Sequence, residues 1–163
     1  MPKSIALDIT PTQRANLEKL YAFTSTVKDD DFGMAEFIAN DEDFIDPVGA
    51  YKDRRHYCGA VACMVGHAPG AGVKPTPKDE NDWHRYAANK LGAVFSRLLD
   101  RDRTFPDSQL ALWTWCFSGD WCGVDNTVAG ARARLRIALD QGIPHNYRDQ
   151  LVRNDPLSYQ VAA

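Results

Sequence analysis

No stretch of these 163 residues stays apolar for the roughly 20 positions that a bilayer-spanning helix needs, so the sequence offers no helical membrane span. The opening residues, Met1-Pro2-Lys3-Ser4-Ile5-Ala6-Leu7-Asp8, lack the apolar segment of a secretion signal, and a cytoplasmic protein is expected. Positive charge is not in excess either. The chain sets 19 Lys and Arg against 22 Asp and Glu, a net charge of −3 that creates no global field for a nucleic-acid polyanion and favours a protein partner. Cysteine is sparse, and four thiols in a reducing compartment are expected to be free or metal-bound rather than disulfide-bonded. The phosphate-loop pattern GxxxxGK[ST] is absent, and no strand precedes the glycines at Gly66, Gly70 and Gly72, which excludes nucleotide binding of that type. No segment alternates with β-branched enrichment, and there are no repeats.

What is present is helix punctuation. A chain of this length suits one domain and buries about 70% of its unfolded surface on folding. Thr10-Pro11-Thr12-Gln13 reads as a capping box opening an amphipathic helix through Leu17, Leu20, Tyr21, Thr24 and Val27. A short helix is expected at Phe32 to Ile38 and another from Cys58 to Ala68, stopped by Pro69-Gly70. The longest periodic segment runs from Asp79 to about Asp100, with Asp79, Glu80 and Asp82 in its first turn. Asp107 is expected to cap a helix through Phe117, and Asp125-Asn126-Thr127 one that ends at Gly142 and Pro144, before a short helix at Tyr147 to Val152. The expected fold is therefore all-α: a compact single domain over residues 1–163 of five or six unequal helices, with the ends 1–9 and 154–163 peripheral.

The run Cys58-Gly59-Ala60-Val61-Ala62-Cys63-Met64-Val65-Gly66-His67 concentrates thiols, an imidazole and small residues that allow close approach. Two chemistries compete with a packed core there. A zinc site could draw on Cys58, Cys63, His67, Cys116 and Cys122, although the spacing of Cys116 and Cys122 is wider than the usual C-x2–4-C pair. Cys58 could instead be a nucleophile at a helix start with His56 as base, but no papain-type or other protease signature accompanies it, and no catalytic residue is assigned. Zinc is thus the one cofactor the residues admit. Arg132 and Arg136 share a helix face one turn apart, close enough to bind an anion or to form a solvated face with Asp140. Trp113, Trp115, Phe117 and Trp121 put aromatics on more than one side of a helix end. Either all are buried, or one side, with Trp115 and Trp121 as anchors, is an interface.

Phe32-Gly33-Met34, Cys58-Gly59-Ala60-Val61-Ala62-Cys63 with Gly66-His67-Ala68, Phe117-Ser118-Gly119-Asp120-Trp121 and Asp125-Asn126-Thr127-Val128-Ala129-Gly130-Ala131 together resemble a set of small proteins of tailed phages and prophages. Those proteins are similar in a CGTxAC-like helix with GHA, an FSGxW-like turn and a DNTxxGA-like helix start, over roughly residues 32–150. Ala60 stands where that pattern has Thr, so the hydroxyl is dispensable. The resemblance implies a phage-associated protein of the bacterial cytoplasm and brings no assigned activity. Its shared positions are caps, tight turns and small packing residues, the types that maintain a fold. The expected function is non-enzymatic binding of a host or phage protein, in host takeover or against a defence, with a Cys/His metal protein or cysteine enzyme centred on Cys58, Cys63 and His67 as the alternative.

Overall fold

The structure, a computed structural model, describes residues 3–34, 63–80, 82–96, 98 and 104–152. The fold is all-α. Its helices are α1 (Pro11–Thr24), α2 (Met64–His67), α3 (Trp83–Leu91), α4 (Asp107–Leu112), α5 (Val128–Gln141) and α6 (Tyr147–Val152). One antiparallel pair, β1 (Ser4–Ile5) with β2 (Ile143–Pro144), closes the two ends of the described chain on each other. No described helix is long and apolar enough to cross a membrane.

The capping box at the start of α1 forms as the sequence predicts. Thr10 Oγ1 accepts from Gln13 N at 3.1 Å and Gln13 Oε1 accepts from Thr10 N at 2.9 Å. The helix stops at Thr24, three residues short of the expected Val27. Thr24, Ser25 and Thr26 each turn a hydroxyl back onto the carbonyl three residues earlier, at Tyr21, Ala22 and Phe23, which gives the backbone an alternative to further helix.

The long helix expected from Asp79 to Asp100 is a correction. Pro77–Asp79 is a 3-10 turn, Asp82 caps α3 by accepting from His84 N at 2.8 Å, and Gly92 ends it in the left-handed region at φ 67°. The tight approach of α1 explains why the break falls there. A Cβ on residue 92 would lie 2.6 Å from Ile9 Cγ2 and 3.1 Å from Gln13 Oε1. From the same place, Gln13 Nε2 donates to the carbonyls of Ala88 and Asn89 at 3.1 and 3.3 Å, and Asn16 Nδ2 to that of Lys90 at 2.9 Å. One side chain thus closes the first turn of α1 and satisfies the last carbonyls of α3.

Beyond Gly92 the chain leaves the helix, and Val94 N donates to Gln109 O at 3.0 Å at the start of α4. Pro106, not Asp107, occupies the cap position of α4. That helix then widens into a π turn, Trp113–Phe117, and a 3-10 turn follows over Gly119–Gly123. The predicted end of α5 at Gly142 is correct. Gly142 has φ 82° and a Cβ there would sit 2.5 Å from Ile5 O, so only glycine lets β1 lie against the chain leaving α5. The N-terminal segment runs along the surface as expected, yet it is tied down. Asp8 N donates to Ser108 Oγ at 3.0 Å, and Gln109 Nε2 to Asp8 O at 2.8 Å.

The core gathers between α1, α5, α3, α2 and the π turn, around Leu17, Leu20, Met64, Leu91, Leu112 and Leu135, all fully buried. Of the helix expected at Phe32 to Ile38, residues 35–38 lie outside the described residues, and Phe32 and Met34 are buried in this core. Gly92→Ala should lower unfolding free energy by at least about 2 kcal/mol, since it adds left-handed strain to a steric overlap. Urea denaturation checks this.

Candidate functional site

The residues with chemical potential fall in three places. The first is α2. The sequence predicts a continuous helix from Cys58 to Ala68, but Cys63 is extended (φ −77°, ψ 178°) and caps a helix that begins at Met64, so no helix passes through it. Cys58 lies outside the described residues, as does His56. Burial pushes the Cys63 thiol up to about 11, and the backbone amides of Gly66 and Val65, which pull the other way, do not offset it. The thiol is therefore protonated at neutral pH, the state in which it is not a nucleophile.

His67, one turn on, is 2% exposed. Its Nε2 lies 3.0 Å from the carbonyl of Asp31, which can only accept, so Nε2 carries the proton in that bond. The ring stacks on Phe32 at 6.2 Å and 9° and meets Phe23 at 6.3 Å. This imidazole fastens the loop after α1 to α2.

The second place is the π turn and the loop that follows. Trp115 and Trp121 are both fully buried, so the burial alternative applies to the two proposed anchors. Their rings meet edge to face at 5.6 Å. Trp115 Nε1 donates to Arg134 O at 2.9 Å and Trp121 Nε1 to Thr114 O at 3.1 Å. Between them lies the residue that sequence reasoning passed over. Arg134 on α5 is 0% exposed, with its guanidinium carbon 3.9 Å above the Trp121 ring and Nη1 3.7 Å from Asp125 Oδ2. A signal existed, because Arg134 shares a helix face with Gly130, Ala131, Leu135 and Ala138, all buried.

The Asp125-Asn126-Thr127 motif is wholly committed to structure here. Asp125 Oδ1 accepts from Thr127 N and Oγ1 at 3.2 and 2.6 Å, and Thr127 Oγ1 caps α5 by accepting from Gly130 N at 3.0 Å. Asn126 Oδ1 accepts from Met34 N at 2.7 Å. Cys116, in the same turn, is buried and its thiol is pushed up to about 12, burial outweighing the nearby Arg134 charge. Cys122 is exposed. Among the described residues, no three His, Cys, Asp or Glu side chains gather as a metal set. A zinc site of the expected kind would have to be completed by Cys58.

The third place is the seam of α1 and α5. The guanidinium carbons of Arg132 and Arg136 lie 4.7 and 5.3 Å from the centre of the Tyr21 ring on α1. Arg136 also donates to both carboxylate oxygens of Asp140 and lies 3.3 Å from Glu18 Oε2. The Arg136 hydrogen bonds hold the Asp140 carboxyl below its ordinary range. That part of the expected basic face is a solvated ion pair. Comparison of the chain with known protein families, with curated proteins and with solved structures finds no match.

Two outcomes follow from these burials. Arg134→Ala strands Asp125 inside the protein and should cost about 3–5 kcal/mol in a denaturation experiment. Both buried thiols stay protonated in the folded chain up to about 11 and 12, whereas unfolded cysteine ionises near 9.0. Unfolding therefore releases protons above that value. The thiol contribution to stability is constant below pH 9 and falls above it, by up to about 1.4 kcal/mol per pH unit for each thiol. Urea titrations at several alkaline pH values, with a Cys116→Ala variant to reduce the slope, measure this. Iodoacetamide at neutral pH should label Cys122 and spare Cys63 and Cys116 until denaturant is added.

Proposed function

We propose that this chain is a non-enzymatic, phage-associated interaction protein that acts in the bacterial cytoplasm by binding a host or phage protein, in takeover of the host or against its defences. The observation that carries the reading is the commitment of its chemistry-bearing residues to the fold. Cys63 and Cys116 are buried and protonated, His67 is bonded to a backbone carbonyl, and Asp125, Asn126 and Thr127 serve as caps and ties. Those are residues of the motifs that resemble the phage proteins. Motifs made of such residues preserve a shape, and a shape kept without a nucleophile suits recognition. The net charge of −3 supports a protein partner over a nucleic acid.

The test is affinity capture of the tagged chain from bacterial cells, with nuclease and high-salt washes, alongside the intact native mass of the purified protein. A partner protein retained in fixed stoichiometry, and retained equally by Cys63→Ala, is the expected result. Recovery of no partner protein overturns the reading. So does a zinc ion in the native mass whose chelation abolishes binding, since that restores the Cys/His metal alternative.

A further inference from the structure

The two arginines of the α1–α5 seam differ in how they are neutralised. Arg136 is held by Asp140 and Glu18. Arg132 has no carboxylate beside it among the described residues. It is half-buried and rests on Tyr21, and its Nε is out of contact with solvent and has no hydrogen-bond acceptor among the described residues. A surface arginine ordinarily escapes that situation by swinging into water. This one is stacked in place, with its fork toward solvent and its charge uncompensated.

We propose that Arg132 anchors an interaction surface along the α1–α5 seam and receives a carboxylate from an acidic segment of a partner protein. The inference rests on the reading of the chain as an interaction protein and adds the partner's chemistry. A guanidinium presents paired donors that match a carboxylate, and a fork already immobilised on an aromatic ring loses little freedom when it binds. Tyr and Arg are also the residue types that most often dominate binding energy at interfaces. Ala129 and Ala133, exposed on the outer side of α5, leave room for a partner to approach the backbone.

The flanking charges choose between carboxylate and nucleic acid. Glu18 and Asp140 lie on the same seam through Arg136, so one uncompensated cation sits beside two carboxylates. A phosphodiester chain would bring several negative charges onto that surface, whereas a side-chain carboxylate brings one, to the position that lacks it.

The first arm of the test follows the Arg132 Nε–H resonance by NMR while a blocked hexaglutamate peptide, a blocked hexaglutamine peptide or oligothymidylate is added. A saturable shift with hexaglutamate, and little with the other two, is expected. No shift with hexaglutamate, or a larger one with oligothymidylate, overturns the proposal. The second arm repeats the affinity capture with Arg132→Ala, Arg132→Lys and Arg132→Glu, using Lys74→Ala as an exposed control outside the seam. Binding should weaken about tenfold or more in Arg132→Ala, less in Arg132→Lys, most in Arg132→Glu, and not in Lys74→Ala. A partner captured equally by wild type and Arg132→Glu removes Arg132 as anchor and leaves the interaction reading standing. A wild-type chain that captures nothing removes both.

Discussion

A buried cation organises this fold. Arg134 has no contact with water, and a guanidinium in that position is tolerated only where charge, ring face and hydrogen bonds compensate its lost hydration. Asp125 comes from the loop before α5, and Trp121 from the 3-10 turn before that. Trp115, from the π turn, bonds the Arg134 carbonyl. Three successive pieces of chain are thus fixed by one side chain and its own backbone. Asp125 also braces Thr127, the cap of α5, so the helix that carries the arginine starts where its counter-ion ends. Charge compensation and helix initiation are one arrangement.

α1 plays the complementary part from the outside. Gln13 and Asn16 satisfy the terminal carbonyls of α3, and Arg14 Nη1 donates to Leu139 O near the end of α5 at 3.2 Å. One helix thereby supplies side chains to the C-terminal ends of two others and sets their angle by hydrogen bonds as well as by Leu17 and Leu20. Farther along, Tyr21 seats two arginines and Phe23 meets His67.

The all-α class was legible because it is written in local chemistry. Thr10 with Gln13, Thr127 with Gly130, and Gly142 are rules of the chain acting on its immediate neighbours, and they act as expected. The failures have a different origin. Periodicity carries α3 straight through Gly92, and what stops it is Ile9 and Gln13, residues far away in sequence. Thiol and imidazole side chains read as reactive until their surroundings are known, and Cys63 and His67 are governed by burial and by the carbonyl of Asp31. Arg132, Arg134 and Arg136 alternate along the chain and look alike, but a helix turns them onto different faces. The first sits on a tyrosine, the second inside the protein and the third among carboxylates. Of the candidate site, only Arg132 and Arg136 were readable as neighbours on a face, because that follows from helical pitch alone.

The π turn at Trp113–Phe117 has a bearing on how the chain can change over generations. A π turn is an α-helix that has accommodated one extra residue, and each residue of an α-helix advances the chain by about 100°. The phase of everything after Phe117, including the direction from which Trp121 meets Arg134, therefore depends on that single additional residue. Substitutions in the turn can be absorbed one side chain at a time. A one-residue deletion cannot, because it would straighten the helix and rotate the downstream chain out of register with the buried arginine. Length in this segment is constrained more tightly than composition.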